Sequence, residues 1–151
     1  MLRGQNKPVG ERAANWSLML FSIGGRTLAA CTEDVGGVRP WTGSMPVPSQ
    51  VPFVHALTRH GEDVLPVFDL AGMLQLQVRG ESSMCLIVKR EDGPMAIRID
   101  AALPQLTTVE PTALHPPVQP DPNILWQSQI EGNIVPIYSF AHLGTPTVRT
   151  A

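Results

Sequence analysis

A fragment of eight residues occurs twice in this chain and constrains its fold more than any other feature. The first copy spans residues 64–71 and the second spans residues 134–141, 70 positions later. Each copy contains two aliphatic residues, a proline, an aliphatic and an aromatic residue, and then a small polar residue. This order predicts a short strand that runs into a helical turn, with Asp69 and Ser139 accepting hydrogen bonds from the first N–H groups of the turn. The repeat therefore predicts two similar small β-units.

Each predicted strand of the repeat contains a proline, at Pro66 and Pro136. Proline has no backbone N–H to donate to a β-ladder. We therefore expect each copy to lie at a sheet edge, at a strand start or at a bulge.

A predicted β-hairpin precedes each copy of the fragment, which extends the repeat upstream. Its apolar segments are 18–23 and 28–31 in the first half of the chain and 84–88 and 95–99 in the second half. Gly24 and Gly25 supply the first turn, and residues 91–94 supply the second. Acidic residues close both hairpins, at Asp34 and Asp100, 66 positions apart. The whole order of elements thus supports an internal duplication.

The composition favours a folded chain built from short strands. Hydrophobic residues make up 43% of the 151 residues, which suits a globular protein, whereas 13 glycines and 15 prolines interrupt the sequence too often for long helices. Short, evenly spaced strand signals with turn residues between them are typical of small barrels. The sequence alone therefore predicts an all-β protein.

Charge and hydropathy argue against nucleic-acid and membrane partners. The formal net charge is −2, and lysine and arginine are scattered, so the basic patch of a nucleic-acid binder is missing. No apolar stretch approaches the roughly 18 to 20 residues that span a bilayer, so direct membrane insertion is not expected. Residues 1–15 are polar and are expected to form a flexible leader. We expect a cytoplasmic protein.

No residue pattern indicates catalysis, a metal or a cofactor. The histidines are His55, His60, His115 and His142. Their spacing matches no metal-binding motif, and no serine lies in a nucleophile elbow. Cys31 and Cys85 lie in apolar segments, far from a second cysteine, as buried small hydrophobes do. We therefore expect no catalytic residues, no metal and no cofactor.

The first copy and the residues before it resemble the pattern of a known family. The run Pro-Phe-Val-His-Ala-Leu at 52–57, followed by Val-Leu-Pro-Val-Phe-Asp-Leu at 64–70, is similar to the hallmark of the CheW-like domain. That hallmark is P-x-[FW]-[VI]-x-G-[VLI]-x-N-[LI]-R-G-x-[VI]-x-P-[VIL]-x-D-L. Residues 33–38 resemble the acidic and aliphatic element that follows the first hairpin in this family, and residues 134–137 fit its second half. The resemblance covers about residues 18–143.

The resemblance implies a fold of two small SH3-like five-stranded β-barrels, packed face to face, with short helical turns. The CheW-like domain would then occupy residues 16–151. We expect a first subdomain at about 16–80 and a second at about 81–145, and an exchange of elements between the barrels stays open.

The function that the resemblance implies is that of a non-enzymatic adaptor in a bacterial chemosensory system. Its expected partners are the regulatory domain of a CheA-type histidine kinase and the cytoplasmic tip of a chemoreceptor, which it would couple by protein contacts. Two alternatives stay open. The chain could serve as an adaptor for pilus-driven or gliding motility or another output, or it could be a small-ligand-binding β-barrel.

The expected partner-binding residues lie in two segments. In the family the turn N-[LI]-R-G belongs to the docking surface, and here Arg59, His60, Gly61 and Glu62 occupy that turn. An exposed loop aromatic is a second candidate, at Trp41, although partial burial beneath the loop is the alternative for this side chain. The full expected set is Val38, Arg39, Trp41, Arg59, His60, Gly61 and Glu62.

Overall fold

The computed structural model describes residues 14–143, and this part of the chain is mostly β. The strands are β1 (Trp16–Ile23), β2 (Arg26–Cys31), β3 (Val35–Pro40), β4 (Met45–Pro46), β5 (Val54–His60), β6 (Asp63–Phe68), β7 (Met84–Val88), β8 (Met95–Ile99), β9 (Gln105–Val109), β10 (Ile124–Ile130) and β11 (Asn133–Tyr138). A short helix, α1 (Leu70–Met73), follows β6, and 3₁₀ turns lie at Thr32–Asp34 and Pro111–Ala113. Within residues 14–143 no helix is both long and apolar enough to cross a membrane. The predicted leader falls almost wholly outside the described residues.

The strands form two sheets, which confirms the predicted all-β class with two small barrels. The first sheet has the order β9-β1-β2-β11-β10, and the second has the order β3-β7-β8-β6-β5-β4. The second sheet has six strands rather than five because it includes β4, which is only two residues long. All the pairs are antiparallel except β2 with β11 and β6 with β8, which are parallel. We call the two sheets the first and the second barrel.

Each barrel combines the hairpin of one half of the chain with strands that follow the other hairpin. The first barrel joins the hairpin β1–β2 to β9, β10 and β11, and the second joins the hairpin β7–β8 to β3, β4, β5 and β6. The second barrel is thus built from residues 35–99, and the first is built from residues on both sides of it. The subdomain boundary expected at about residue 80 does not separate the two barrels. Each barrel pairs strands from both sides of this boundary.

The register of the strands repeats at the offset that the sequence shows. A bulge lies between Val54 and Ala56, where β5 pairs with β6, and an equivalent bulge lies between Ile124 and Trp126, where β10 pairs with β11. The two bulges are 70 residues apart, like the two copies of the fragment. The duplication predicted from the sequence is therefore confirmed by the pairing of the backbone.

The prolines lie on inner strands, so the sheet edge, one of the three places predicted for each copy, is not the one observed. Strands β6 and β11 each have a neighbour on both sides. The parallel ladder begins only one residue after each proline, at Val67 for Pro66 and at Ile137 for Pro136. The missing N–H therefore removes no bond from the parallel ladder, which explains how an inner strand tolerates proline.

The predicted cap after each strand forms in both copies, but with different geometry. The Asp69 carboxylate accepts a hydrogen bond from the Gly72 N–H at 2.9 Å and begins α1. This helix ends at Met73, and Gln75, two residues later, has a φ of 60° and lies outside the right-handed helical region. In the second copy the Ser139 hydroxyl accepts from the Ala141 N–H at 3.4 Å, which closes a turn rather than a helix.

Buried apolar side chains form three clusters, one inside each barrel and one between the barrels. The first-barrel interior contains Leu18, Leu20, Ala29, Cys31, Val135 and Ile137. The second-barrel interior contains Leu65, Val67, Cys85, Ile87 and Ala96. The inter-barrel core contains Phe21, Ile23, Leu28, Ala30, Val54, Phe68, Leu70, Ala71, Leu86, Val88, Met95, Ile97, Ile99, Tyr138, Phe140 and Leu143. Because the inter-barrel core is the largest of the three, neither barrel is an independent unit.

Asp100 fastens the second barrel to the first-barrel hairpin. Its carboxylate, which is only 4% exposed, accepts hydrogen bonds from the N–H groups of Gly24 at 2.9 Å, Gly25 at 2.8 Å and Arg79 at 2.7 Å. Its own N–H donates to the Ser22 carbonyl at 2.9 Å. Both glycines have positive φ, as a tight turn of this kind requires. The sequence match between Asp34 and Asp100 therefore hides a difference, because Asp34 lies in a 3₁₀ turn.

Equivalent buried hydroxyls inside the two barrels have different partners. Thr58 in the second barrel donates to the Gly43 carbonyl at 2.6 Å. Ser128, 70 residues later in the first barrel, is 1% exposed, and its hydroxyl has no hydrogen-bond partner among residues 14–143. The loop that ends at β4 supplies the carbonyl in the second barrel, and the loop before β10 supplies none.

Replacing the buried carboxylate is expected to destabilise the whole chain. In Asp100→Asn one acceptor oxygen is lost and an amide N–H₂ faces backbone donors, so we expect a loss of about 2 to 3 kcal/mol in the free energy of unfolding. Urea denaturation measures this loss. The control is Asp63→Asn, which replaces an exposed carboxylate. Equal losses in the two variants would contradict the role of Asp100.

The paired hydroxyls give a second, internally controlled prediction. Thr58→Val leaves the Gly43 carbonyl without its partner and should lower the free energy of unfolding by about 1 kcal/mol or more. Ser128→Ala removes a hydroxyl that has no partner and should change stability by no more than about 0.5 kcal/mol, or raise it. Thermal and urea unfolding of both variants provide the measurement. A larger loss in Ser128→Ala than in Thr58→Val would reverse the assignment.

Candidate partner-binding surface

Closure of the second barrel brings together two of the predicted segments. Arg39 lies on the edge strand β3, and His60 is the last residue of β5. The Arg39 Nη1 lies 2.7 Å from His60 Nδ1, and Nη2 donates to Thr42 Oγ1 at 3.3 Å. Because the guanidinium can only donate, His60 Nδ1 accepts, and the proton of the neutral ring is assigned to Nε2. This contact fixes the orientation of both side chains.

A narrow crevice forms where β3 meets the end of β5. Its lining residues are Arg39, Pro40, Trp41, Thr42, Thr58, Arg59, His60, Cys85 and Ile87. Four of the predicted partner-binding residues thus lie together: Arg39, Trp41, Arg59 and His60. The structure brings these four together although the two segments are about 20 residues apart in the sequence.

The turn between β5 and β6 places two further predicted residues beside this crevice. Gly61 and Glu62 form the two-residue loop, and the φ of 64° at Gly61 suits the first central position of a primed hairpin turn. Glu62 and the neighbouring Arg59 are exposed. This end of the hairpin therefore presents the Arg59 cation and the carboxylates of Glu62 and Asp63 to solvent.

Val38 and Trp41 are both partly buried, unlike the exposed Arg59, Gly61 and Glu62. Val38 is partly buried and packs against the inter-barrel core, away from the crevice. Trp41 is also partly buried, because its ring packs against the second-barrel interior and the Arg98 guanidinium lies 5.5 Å from the ring centroid. The backbone N–H of Trp41 donates to the Ser83 carbonyl at 3.0 Å, which fixes the loop.

An exposed apolar patch beside Arg59 was missed from the sequence. Met45 is 67% exposed and Val64 is 55% exposed, and both line a shallow depression with Leu57 and Arg59. We call Met45, Leu57 and Val64 the second-barrel patch. The alternation of side chains along a strand could have revealed Val64, because it precedes the buried Leu65 and must face the other way. Exposed apolar side chains of this kind are typical of protein-binding surfaces.

The two cysteines, one in each barrel, are buried and are not activated as nucleophiles. Burial, together with the nearby Asp34 and Glu33, raises the pKa of the Cys31 thiol to about 11. Burial also raises the pKa of Cys85, although the Arg39 guanidinium acts in the opposite direction. Both are therefore protonated thiols at neutral pH and poor nucleophiles. Among residues 14–143 no group of three histidine, cysteine or acidic residues is arranged to hold a metal ion.

Comparisons with known proteins agree with this fold. No curated protein sequence matches the chain. Among solved structures the chain is similar to the scaffolding protein TtCheW from Thermoanaerobacter tengcongensis, with a TM-score of 0.77 and 16% sequence identity over 94% of this chain and 96% of that one. The family model of the CheW-like domain matches residues 17–144. The chain belongs to the CheW-like domain family, and with it to the non-enzymatic scaffold proteins of chemotaxis.

Proposed function

We propose that this chain couples chemoreceptors to a CheA-type histidine kinase by binding both in the cytoplasm. The observation that carries this proposal is the match of the CheW-like domain over residues 17–144, together with an exposed patch and a charged turn on one barrel. An adaptor needs stable, complementary surfaces rather than reactive groups, and interface energy is concentrated in a few apolar or arginine anchors.

The kinase regulatory domain binds the second-barrel patch and the adjoining Arg59. Met45 and Val64 are largely exposed and supply apolar area, whereas Arg59 supplies a cation that lies at the rim of the same depression. The equivalent positions of the first barrel form a surface of different composition, because Gln129 replaces Arg59 and His115 replaces Met45. The duplication thus supplies two related surfaces, of which only one combines a cation with this apolar area.

The receptor tip binds along the groove between the barrels. Leu106 on the edge strand β9 is 72% exposed, and its register partner Met19 packs against the inter-barrel core. Residues that are directly opposite in an antiparallel pair share one face of the sheet, so Leu106 extends the inter-barrel core to the surface. Val38 occupies a comparable place on the edge strand β3. Apolar side chains at this border suit the apolar face of a receptor helix.

If the chain is instead an adaptor for pilus-driven or gliding motility, or for another output, it would use the same contacts with a different receptor and kinase. The identity of the kinase that co-purifies with the chain decides between these systems.

Kinase binding is tested with the purified regulatory domain of the cognate CheA-type kinase. We expect co-elution at micromolar concentrations, and we expect Arg59→Ala and Val64→Ser each to weaken binding about tenfold, as loss of an interface anchor does. The melting temperature should be nearly unchanged because both side chains are exposed. Isothermal titration calorimetry and thermal unfolding provide the measurements.

The first barrel offers matched controls for this experiment. Gln129→Ala and Ile134→Ser alter the equivalent positions of the repeat, and Ile134 is 65% exposed. These variants should bind the kinase domain as the unmodified chain does. Absence of co-elution with the unmodified chain would contradict the kinase partnership, and equal losses in both barrels would contradict the assigned surface.

Receptor binding is tested separately with the Leu106→Ser variant. Loss of an exposed leucine from the groove should weaken binding to a soluble receptor-tip fragment about tenfold and leave kinase binding unchanged. Leu103→Ser is the control, since Leu103 is 77% exposed but lies before β9. A kinase-binding defect in Leu106→Ser, or equal receptor defects in both variants, would contradict separate sites.

A further inference from the structure

A cavity of about 540 Å³ opens at one end of the second barrel. It lies where β5, β6 and β8 meet α1 and the segment 76–78 that follows it. Its lining residues are Trp41, Ser44, His55, Ala56, Val67, Phe68, Asp69, Ala71, Gly72, Leu76, Gln77, Val78 and Arg98. This volume lies within the range of small-molecule sites, and the walls come from several elements, so the feature is a concavity rather than a flat face.

The repeat explains why the second barrel is open at this end. Position 126 in the first barrel is a tryptophan that packs into the first-barrel interior opposite Ile137. The equivalent position in the second barrel is Ala56, which packs beside Val67. The alanine leaves unfilled a volume that the tryptophan occupies in the other copy. Trp41, which enters from a loop, fills only part of it.

Comparison of the two copies also shows that the second barrel has a cation, Arg98, in the lining of this cavity. Ala30 of β2 pairs in parallel with Tyr138, and the next residue, Cys31, is buried in the first barrel. In the second barrel Ile97 of β8 pairs in the same way with Phe68, and the next residue is Arg98. A buried apolar thiol in one copy thus corresponds to an exposed guanidinium in the other.

The Arg98 guanidinium is held in place but lacks an anionic partner. Its Nε donates to Ser83 Oγ at 2.8 Å, and its Cζ lies over the Trp41 ring at 5.5 Å from the centroid. No carboxylate within residues 14–143 forms an ion pair with it. A guanidinium fixed at Nε keeps its terminal nitrogens for bidentate contact with a carboxylate.

The other lining residues limit the charge of a ligand. Asp69 is the acidic residue of the lining, and its Oδ1 is already engaged as the cap of α1. A second negative group on a ligand would be repelled by this carboxylate, because Arg98 is the one arginine of the lining and pairs with the first group. The remaining polar residues of the lining are neutral or, in the case of His55, exposed at the rim.

We propose that the open end of the second barrel binds a small monocarboxylate with an apolar body. The carboxylate pairs with Arg98, and the apolar body lies against Trp41, Ala56 and Val67. The site is distinct from the adaptor contacts proposed above, because the second-barrel patch and Arg59 line a neighbouring depression that shares only Ser44 with the cavity.

The experiment compares octanoate, octanamide and octanedioate by isothermal titration calorimetry and by the indole N–H signal of Trp41 in NMR spectra. We expect octanoate to bind at least about tenfold more tightly than octanamide, because a charge-assisted contact is lost in the amide. We also expect octanedioate to bind more weakly than octanoate. The Trp41→Phe variant assigns the indole signal. Indole-3-acetate and its amide repeat the comparison with an aromatic body.

Two variants locate the site. Arg98→Gln should reduce octanoate binding about tenfold and leave octanamide binding unchanged. Ala56→Trp, which copies the residue of the first barrel, should abolish binding of both probes. Circular dichroism and kinase-domain binding of both variants should match the unmodified chain, which separates loss of the ligand site from misfolding and from loss of the adaptor function.

The outcomes that would overturn the proposal are specific. The proposal is overturned if octanoate and indole-3-acetate both fail to bind at millimolar concentration. It is also overturned if each acid and its amide bind equally well. Octanoate binding that persists in Arg98→Gln and in Ala56→Trp would place the ligand elsewhere on the molecule. If Ala56→Trp does not fold, the Arg98→Gln and Arg98→Lys pair decides, since the lysine should retain part of the affinity and the glutamine should not.

Discussion

Neither barrel of this protein can be completed by one half of its chain, because each hairpin pairs in parallel with a strand that follows the other hairpin. The pairs β2 with β11 and β6 with β8 are the places where the two halves join within a sheet. Strands that are exchanged in this way bring the apolar faces of both sheets against each other, and the inter-barrel core follows from it. The Asp100 carboxylate fixes this arrangement by closing the glycine turn of the opposite hairpin.

The duplication separates what the fold requires from what function requires. Positions that fill the barrels keep their apolar character in both copies, as Val67 and Ile137 show. Positions on the surface and at the barrel ends have diverged, since Arg59 corresponds to Gln129 and Ala56 corresponds to Trp126. A chain that contains its own comparison therefore shows which positions the shared fold constrains and which positions were free to diverge.

The strands, the repeat and the Asp69 cap could be predicted because each depends on local order and residue type. Which strands pair could not, since a period of two identifies a strand but not its neighbour. The contact of Arg39 with His60 depends on barrel closure, and no local pattern indicates it. The burial of Val38 against the inter-barrel core has the same origin. Arg98 was not recognised because a single arginine in a strand has no sequence signature, and only its alignment with Cys31 makes it informative.

The exchange of strands also sets the order in which the chain can assemble as it leaves the ribosome. All strands of the second barrel have been synthesised once residue 99 emerges, whereas the hairpin β1–β2, made first, has no parallel partner until residues 133–138 appear. During that interval the apolar side chains of Phe21, Leu28 and Ala30 lack part of their cover. Long-range pairing of this kind slows folding and exposes nascent chains to aggregation, so the earliest hairpin is the segment for which a chaperone would have most to protect.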